Sequence, residues 1–222
     1  MGSPRSWDDL FRDGRFHWKE PDRGVVASAP RWKEEGRRVV HDLGCGAGRH
    51  MAYLQLEDFE VFGTDVAESG LAACAGYLRE AGLPARLVRA DMTASPFADN
   101  TFDAGIATNV LNHNPRGKLQ EAIDDVRRVL RPGGEFYLTA VNAWDWRCGS
   151  GEEVEPGSFV LAKGPETGIL HHFFSEEDFR QWLAAFEVVK LDRERGEDLS
   201  TKRGDRPVMR DAWAVWVRKP RR

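Results

Sequence analysis

The sequence predicts an α/β protein: a doubly wound, mostly parallel sheet with helices on both faces. Two observations carry this. Between residues 39 and 141, short apolar runs alternate with segments of helical periodicity, the pattern of parallel strands joined by crossover helices. The second observation is the stretch Val39-Val40-His41-Asp42-Leu43-Gly44-Cys45-Gly46-Ala47-Gly48-Arg49-His50. A β-branched run ends in an acid, three glycines follow at alternate positions, and a helical pattern begins. That order reads as a buried strand, a tight turn and a helix N-terminus. Glycine suits backbone that turns sharply or approaches a ligand. A helix N-terminus adds free N–H groups and a partial positive charge. A nucleotide-like ligand is expected there.

The elements follow in order. Residues 39–42 form the first strand and 49–56 its helix. Residues 60–64 form a second strand, and 68–81 a helix with Leu71, Ala75 and Leu78 at helical spacing. Gly82-Leu83-Pro84 stops that helix. Residues 85–89 are a short third strand and 102–108 a fourth, with no charge after Asp103. Residues 117–130 carry Leu119, Ile123, Val126 and Leu130 on one helical face. Arg131-Pro132-Gly133-Gly134 is a turn, and 135–141 is the fifth strand. Ser175-Glu176-Glu177-Asp178 resembles a capping box ahead of Phe179, Trp182, Leu183 and Phe186. Strands at 187–191 and 212–218 close the chain. The charged linker between them, 192–211, reads as a mobile surface loop or an extension of the hairpin. The stretch 143–174 is too long and aromatic for a plain connection.

Composition bounds the function. The 222 residues suit one α/β domain. A net charge of −4 gives no global footprint for nucleic acid or anionic membrane. The basic residues Arg218, Lys219, Arg221 and Arg222 read as a solvated tail. No apolar run is long enough to span a bilayer, and the first residues lack a signal peptide's apolar core. Cys45, Cys74 and Cys148 have no metal-ligand spacing and read as reduced thiols of a cytoplasmic protein.

Spacing then narrows the ligand. Dinucleotide sites use G-x-G-x-x-G with the pyrophosphate on the helix N-terminus. Here the spacing is G-x-G-x-G, with Asp42 two residues before the first glycine. A carboxylate there would repel a pyrophosphate and suit an ammonium group. At this point the chain resembles the class I S-adenosylmethionine-dependent methyltransferases, whose first motif is matched by Asp42, Gly44, Gly46 and Gly48. The resemblance covers about residues 38–141. It is closest in kind to the short, small-molecule enzymes of the ubiquinone-biosynthesis-like and tellurite-resistance-like groups. It implies the Rossmann-like methyltransferase fold: seven strands, the last antiparallel and inserted beside the fifth. It also implies S-adenosyl-L-methionine as cofactor.

Further residues fall into this frame. Asp65 lies 21 positions after Gly44, where an acid can accept hydrogen bonds from both ribose hydroxyls. The weaker alternative is an acid that caps the next helix, and an acid at this place would serve NAD as well. The resemblance implies that Asp91 meets the adenine amino group, that the backbone of Met92 meets a ring nitrogen, and that the backbone around Asn109 holds the methionine ammonium. Cys45, Val66 and Trp18 complete the expected cofactor set. Asp103 reads as structural. His113, after the fourth strand, is a candidate base or substrate-orienting group. Of His171 and His172, adjacent on an extended segment, at most one faces the site, and His172 is taken as the second catalytic candidate. Two neighbouring histidines are a poor metal site without further ligands, so no metal is expected. Trp18, Trp144 and Trp146 are read as pocket lining, and Trp7 and Trp32 as ordinary packing. Arg147 could pair with an acidic acceptor.

The expected organisation is a single domain: 1–37 an N-terminal lid segment, 38–141 the cofactor-binding core, 142–174 an acceptor-site insertion, and 175–222 a C-terminal helix and strand pair. The expected reaction is in-line methyl transfer to a small-molecule acceptor, by a monomer or homodimer with no nucleic-acid or membrane partner. Three alternatives stand beside it. Methylation of protein or RNA would use the same fold, but Asn109-Val110-Leu111-Asn112 lacks the N/D-P-P-Y/F motif of base N-methylation, and positive charge is low. A nicotinamide-binding oxidoreductase fits the glycine spacing badly. A non-catalytic module would keep the fold and lose the acids.

Overall fold

The computed structural model describes residues 6–14, 16–203 and 206–221. Residues 1–5 and 15 of the expected lid, 204–205 of the charged linker and Arg222 of the basic end lie outside the described residues. Two helices precede the sheet, α1 (Trp7–Arg12) and α2 (Arg23–Glu34). The alternation then runs β1 (Val39–Leu43), α3 (Arg49–Leu56), β2 (Glu60–Asp65), α4 (Glu68–Glu80) and β3 (Leu87–Arg89). It continues through β4 (Phe102–Thr108), a 3-10 turn (Leu111–His113), α5 (Arg116–Val129) and β5 (Leu130–Val141). Three short strands follow, β6 (Gly151–Glu155), β7 (Ser158–Leu161) and β8 (Leu170–His172). The described chain ends in α6 (Glu176–Trp182), β9 (Glu187–Arg203) and β10 (Arg206–Arg218).

The main sheet has seven strands in the order β3-β2-β1-β4-β5-β10-β9. β10 is antiparallel to both of its neighbours, β5 and β9; the pairings among the first five strands are parallel. This is the expected α/β fold. Apolar side chains leave the sheet on both faces, as a parallel sheet covered on both sides requires. One face packs Val25, Ala29 and Trp32 of α2, Met51 and Leu54 of α3, and Cys74 and Leu78 of α4. The other packs Leu119, Ile123 and Val126 of α5, and Phe179 and Trp182 of α6. Each large side chain so buried contributes about 1.5–3 kcal/mol. A buried carboxylate ties α2 to the sheet: Glu135 accepts hydrogen bonds from both terminal nitrogens of Arg31 and from Trp32 Nε1. Trp32 is the packing residue it was expected to be.

Several boundaries depart from the sequence reading. β5 begins at Leu130 because the turn residues 131–134 form a bulge opposite Asp103, between the pairs Phe102–Leu130 and Ala104–Glu135. Asp103 is structural: its Oδ2 accepts the backbone N–H groups of Arg38 and Val39, each at 2.9 Å. The charged linker is a hairpin extension, paired from Glu187↔Arg218 out to Arg203↔Arg206. Its charges hid the pairing, since an edge strand needs little apolar periodicity. The basic end is anchored as well. Arg218 lies in β10, and Lys219 Nζ donates to Asn100 Oδ1 at 2.8 Å and to the Leu130 carbonyl at 2.7 Å. The stretch after β5 builds a separate three-stranded antiparallel sheet, β6-β7-β8. Among the described residues no helix is long and apolar enough to cross a membrane.

Candidate functional site

The strand order reverses between β1 and β4, where an open α/β sheet leaves a crevice beyond its carboxyl ends. A cavity of about 500 Å³ lies there, within the usual range of roughly 300–1,000 Å³ for small-molecule pockets. The turn after β1 forms part of its wall. Gly44, Gly46 and Gly48 hold φ of 68°, 51° and 87°, a region costly for any residue with a Cβ. Close packing demands glycine too: a Cβ on Gly44 would stand 2.4 Å from Val110 Cγ2, and one on Gly48 2.4 Å from Cys74 Sγ.

Asp65 ends β2 and locks this turn. Its Oδ2 accepts the Gly46 N–H and its Oδ1 the Ala67 N–H, both at 2.8 Å. The carboxylate therefore ties the glycine turn to the residue that precedes α4 and lines the cavity at once, while α4 itself has no side-chain cap. Burial raises its pKa, and the backbone N–H bonds oppose that rise. Asp42 stands behind the wall rather than in it. Burial pushes its carboxyl up to about 8, with the Arg49 cation acting against the rise. Its Oδ2 has no hydrogen-bond partner, and neither has His50 Nε2 nearby; Asp42 Oδ1 and His50 Nδ1 are 4.0 Å apart. Such unpaired polar atoms are costly in a folded core.

The other expected cofactor residues, Cys45, Val66, Asp91, Met92, Asn109 and Trp18, all line the cavity. Asp91 is exposed, and its Oδ1 accepts from the backbone N–H and hydroxyl of Thr93 at 2.9 and 2.7 Å. These bonds hold its carboxyl below the usual range. Asn109 adopts φ of 56°, rare for a residue with a side chain. Its Oδ1 accepts from Arg210, and its N–H donates to the Thr139 carbonyl at 3.0 Å.

Two arginines escaped the sequence reading. Arg49 and Arg210 both line the cavity. Arg49 opens α3, where the helix dipole disfavours a cation, and that misplacement was the available signal. Its guanidinium lies 5.2 Å from the Trp18 ring centroid.

The N-terminal helix closes one side. Ser6 and Asp9 form a capping box for α1, and Asp8 Oδ1 accepts from the backbone N–H and hydroxyl of Ser69, each at 2.8 Å. Phe11 then packs on Gly46 and Gly70 so closely that a Cβ on Gly46 would lie 2.9 Å from its ring. Trp7, expected to be ordinary packing, lines the cavity and meets His113 edge-on with ring centroids 4.5 Å apart.

The insertion forms the opposite wall, and here the expectations need correction. His171, not His172, faces the cavity. His172 is fully buried away from it, against Phe174 and Trp182. Its Nδ1 lies 2.8 Å from Ser158 Oγ and its Nε2 3.5 Å from Asp178. Strand alternation separates the two neighbours, so His172 belongs to the core. Trp144 also lies outside the cavity, half-exposed beneath the Arg193 guanidinium at 4.0 Å. Trp146 does line it, with a buried Nε1 that has no partner. Arg147 lines the cavity and is paired within the protein, at 2.8 Å to Asp145 and 2.9 Å to Glu166. Glu166 in turn lies 2.9 Å from His171 Nε2, and the His113 and His171 ring centroids are 4.5 Å apart. Burial drives the His113 imidazole down to about 3. Burial works to raise the Glu166 carboxyl, but the hydrogen bond and charge of His171 outweigh it and hold that group well below the carboxylate range. Glu166 carries no recognisable spacing in the sequence; only the fold of the insertion brings it to His113.

This fold and this glycine turn, with Asp65 ending β2 and Asp91 two residues beyond β3, can be set beside known proteins. Residues 40–134 match the family described as "Methyltransferase domain". The chain has the fold of solved S-adenosylmethionine-dependent methyltransferases. It is similar to Hemagglutinin 1 of Eikenella corrodens, 26% identical over 96% of this chain and 68% of that protein. A methyltransferase structure from Methanosarcina mazei superposes with a TM-score of 0.70 at 23% identity, over 83% of this chain and 93% of that one. A second, at 0.65 and 18% identity over 99% and 92%, is the Burkholderia thailandensis 1,6-didemethyltoxoflavin-N1-methyltransferase with its substrate and S-adenosylhomocysteine bound. Other curated relatives bear the names of tRNA, sterol and fatty-acid methyltransferases, and the chain spans 59%, 36% and 37% of their lengths.

Proposed function

We propose that the chain transfers the methyl group of S-adenosylmethionine to a small-molecule acceptor by in-line substitution. One observation carries this reading: a single cavity is walled on one side by the glycine turn with Asp65, Asp91 and Asn109, and on the other by His113, His171, Trp146 and Arg147. The donor is already activated as a sulfonium, so the protein's task is to hold two reactants in line. In this reading Asp65 accepts the ribose hydroxyls, Asp91 and the Met92 backbone meet the adenine, and the backbone around Asn109 holds the ammonium. Arg49 and Arg210 suit the donor's carboxylate. Residues 1–37 act as the lid and 142–174 as the acceptor element. The walled cavity and the net charge of −4 favour a small acceptor over RNA or protein.

Calorimetric titration with S-adenosylhomocysteine, and in parallel with NAD, tests the reading. Binding of S-adenosylhomocysteine alone supports it. Binding of NAD alone, or of neither, refutes it. A panel of hydroxyl, thiol and amine acceptors with labelled donor then tests turnover.

A further inference from the structure

We propose that His113, Glu166 and His171 form a binding site for one divalent first-row transition-metal ion, of the zinc, manganese or iron(II) kind. One potential ligand atom from each residue lies within 4.8 Å of the other two. An ion with bonds of about 2.0–2.2 Å holds its ligands roughly 3–3.5 Å apart, so small side-chain adjustments gather the three.

The ring hydrogen bonds favour coordination. His113 Nδ1 lies 3.2 Å from the Leu170 carbonyl, and His171 Nδ1 lies 3.2 Å from the Ile169 carbonyl. With each Nδ1–H donating to a backbone oxygen, the Nε2 of each ring is directed at the ion, which would displace the proton that His171 Nε2 shares with Glu166 at 2.9 Å. This is how metal-binding histidines are held: the second nitrogen fixes tautomer and ring orientation. Two consecutive carbonyls at the start of β8 orient histidines from two different elements. Arg147, itself paired with Asp145, holds the Glu166 carboxylate at 2.9 Å. The two carboxylates and the guanidinium leave the cluster one net negative charge before any histidine is protonated.

A separate feature points to the same place. Asn112 lines the cavity, and its Oδ1 is buried with no partner. Its Nδ2 lies 3.1 Å from His113 Nε2. Half a turn of the amide would bring that unpartnered oxygen beside His113 Nε2 as a fourth ligand. Two imidazoles with one carboxylate suit zinc, manganese or iron(II) and leave coordination positions open. Magnesium and calcium prefer all-oxygen sets.

Resting on the methyl-transfer reading, an acceptor hydroxyl or thiol on an open position would release its proton to solvent. Its lone pair then forms the bond to the methyl carbon as the donor's carbon–sulfur bond breaks, giving S-adenosylhomocysteine.

The test is made on the full chain after chelator treatment, without donor or acceptor, so its failure is separate from failure of S-adenosylhomocysteine binding. Calorimetry with Zn²⁺ and the visible spectrum with Co²⁺ should both show one equivalent bound. His113→Gln, Glu166→Gln and His171→Gln should each weaken binding at least tenfold, while His17→Gln, outside the cavity, leaves it unchanged. Melting of each variant without metal shows whether it folds. If one does not, X-ray absorption of the wild-type Co²⁺ complex decides: two imidazoles and a carboxylate support the site, and any other ligand set overturns it. Absence of stoichiometric binding, or wild-type affinity in any of the three folded variants, also overturns it.

Discussion

Asp65 offers the sharpest prediction, because its carboxylate serves both folding and the proposed donor site. In Asp65→Ala the N–H groups of Gly46 and Ala67 lose acceptors held at 2.8 Å. Hydrogen bonds to a charged group contribute about 1.5–3 kcal/mol each. Relief of the burial that raises the Asp65 pKa offsets part of this, so the net loss should be about 3 kcal/mol. For a chain of this size each kcal/mol lowers Tm by about 2–4 °C, which gives a drop of roughly 6–12 °C. Asp65→Asn keeps one acceptor and turns an amide N–H toward a backbone N–H, so it should recover less than half of the loss. Urea unfolding without ligand measures the stability, and calorimetry with S-adenosylhomocysteine measures the affinity, expected to fall well over tenfold in both variants. Stability of Asp65→Ala within about 0.5 kcal/mol of wild type, the usual range for an indifferent surface change, would refute the locking role. Unchanged affinity in a folded variant would refute the ribose role.

Other perturbations separate the remaining assignments. Gly48→Ala places a Cβ 2.4 Å from Cys74 Sγ at φ of 87°, so backbone strain of about 1–2 kcal/mol adds to a steric clash; thermal melting should show a marked loss, with donor binding lost as well. His172→Ala empties a buried position that partners Ser158 and Asp178; it should cost about 2–4 kcal/mol of stability and leave S-adenosylhomocysteine affinity intact in the folded fraction, whereas a selective loss of affinity would return His172 to the site. Asp42 predicts a pH trend. Its carboxyl is raised from 3.8 to about 8 in the fold, so between these values the folded chain binds the extra proton and stability falls as pH rises, by at most about 1.4 kcal/mol per unit. Asp42→Asn should flatten that slope in denaturation curves taken from pH 5 to 8, and an unchanged slope would assign the trend to other groups.

Legibility in the sequence followed the range of the interactions. The glycine turn, the strand-ending acids and the α3 and β4 boundaries are local matters of backbone freedom and periodicity, and they read directly from residues 39–65 and 102–108. The Asp65 hydrogen bonds show why one acid drew two rival readings: it faces the cavity and holds the N–H of Ala67 just ahead of α4, without capping that helix. What stayed hidden depends on distant chain segments. Glu166 reaches His113 only through the β7–β8 hairpin, and Trp7 reaches it only because Asp8 and Phe11 seat α1 on α4 and the glycine turn. The choice between His171 and His172 turned on the side of a three-residue strand that faces the cavity, which sequence alternation leaves open. The β9–β10 extension was obscured because its residues are charged, and strand periodicity is read from apolar ones.

That charge has a consequence for how this protein behaves at high concentration. A sheet with open edges invites another chain to add a strand, and both edges here discourage it. β3 spans only three residues. β9 presents Lys190, Asp192, Arg193, Glu194 and Arg195 along its length, and its pairing with β10 is broken by two register shifts. Neither rim offers a flat, apolar ladder of free amides. Self-association through continuous strand pairing, the usual route to fibrils, is therefore disfavoured at both ends of the sheet.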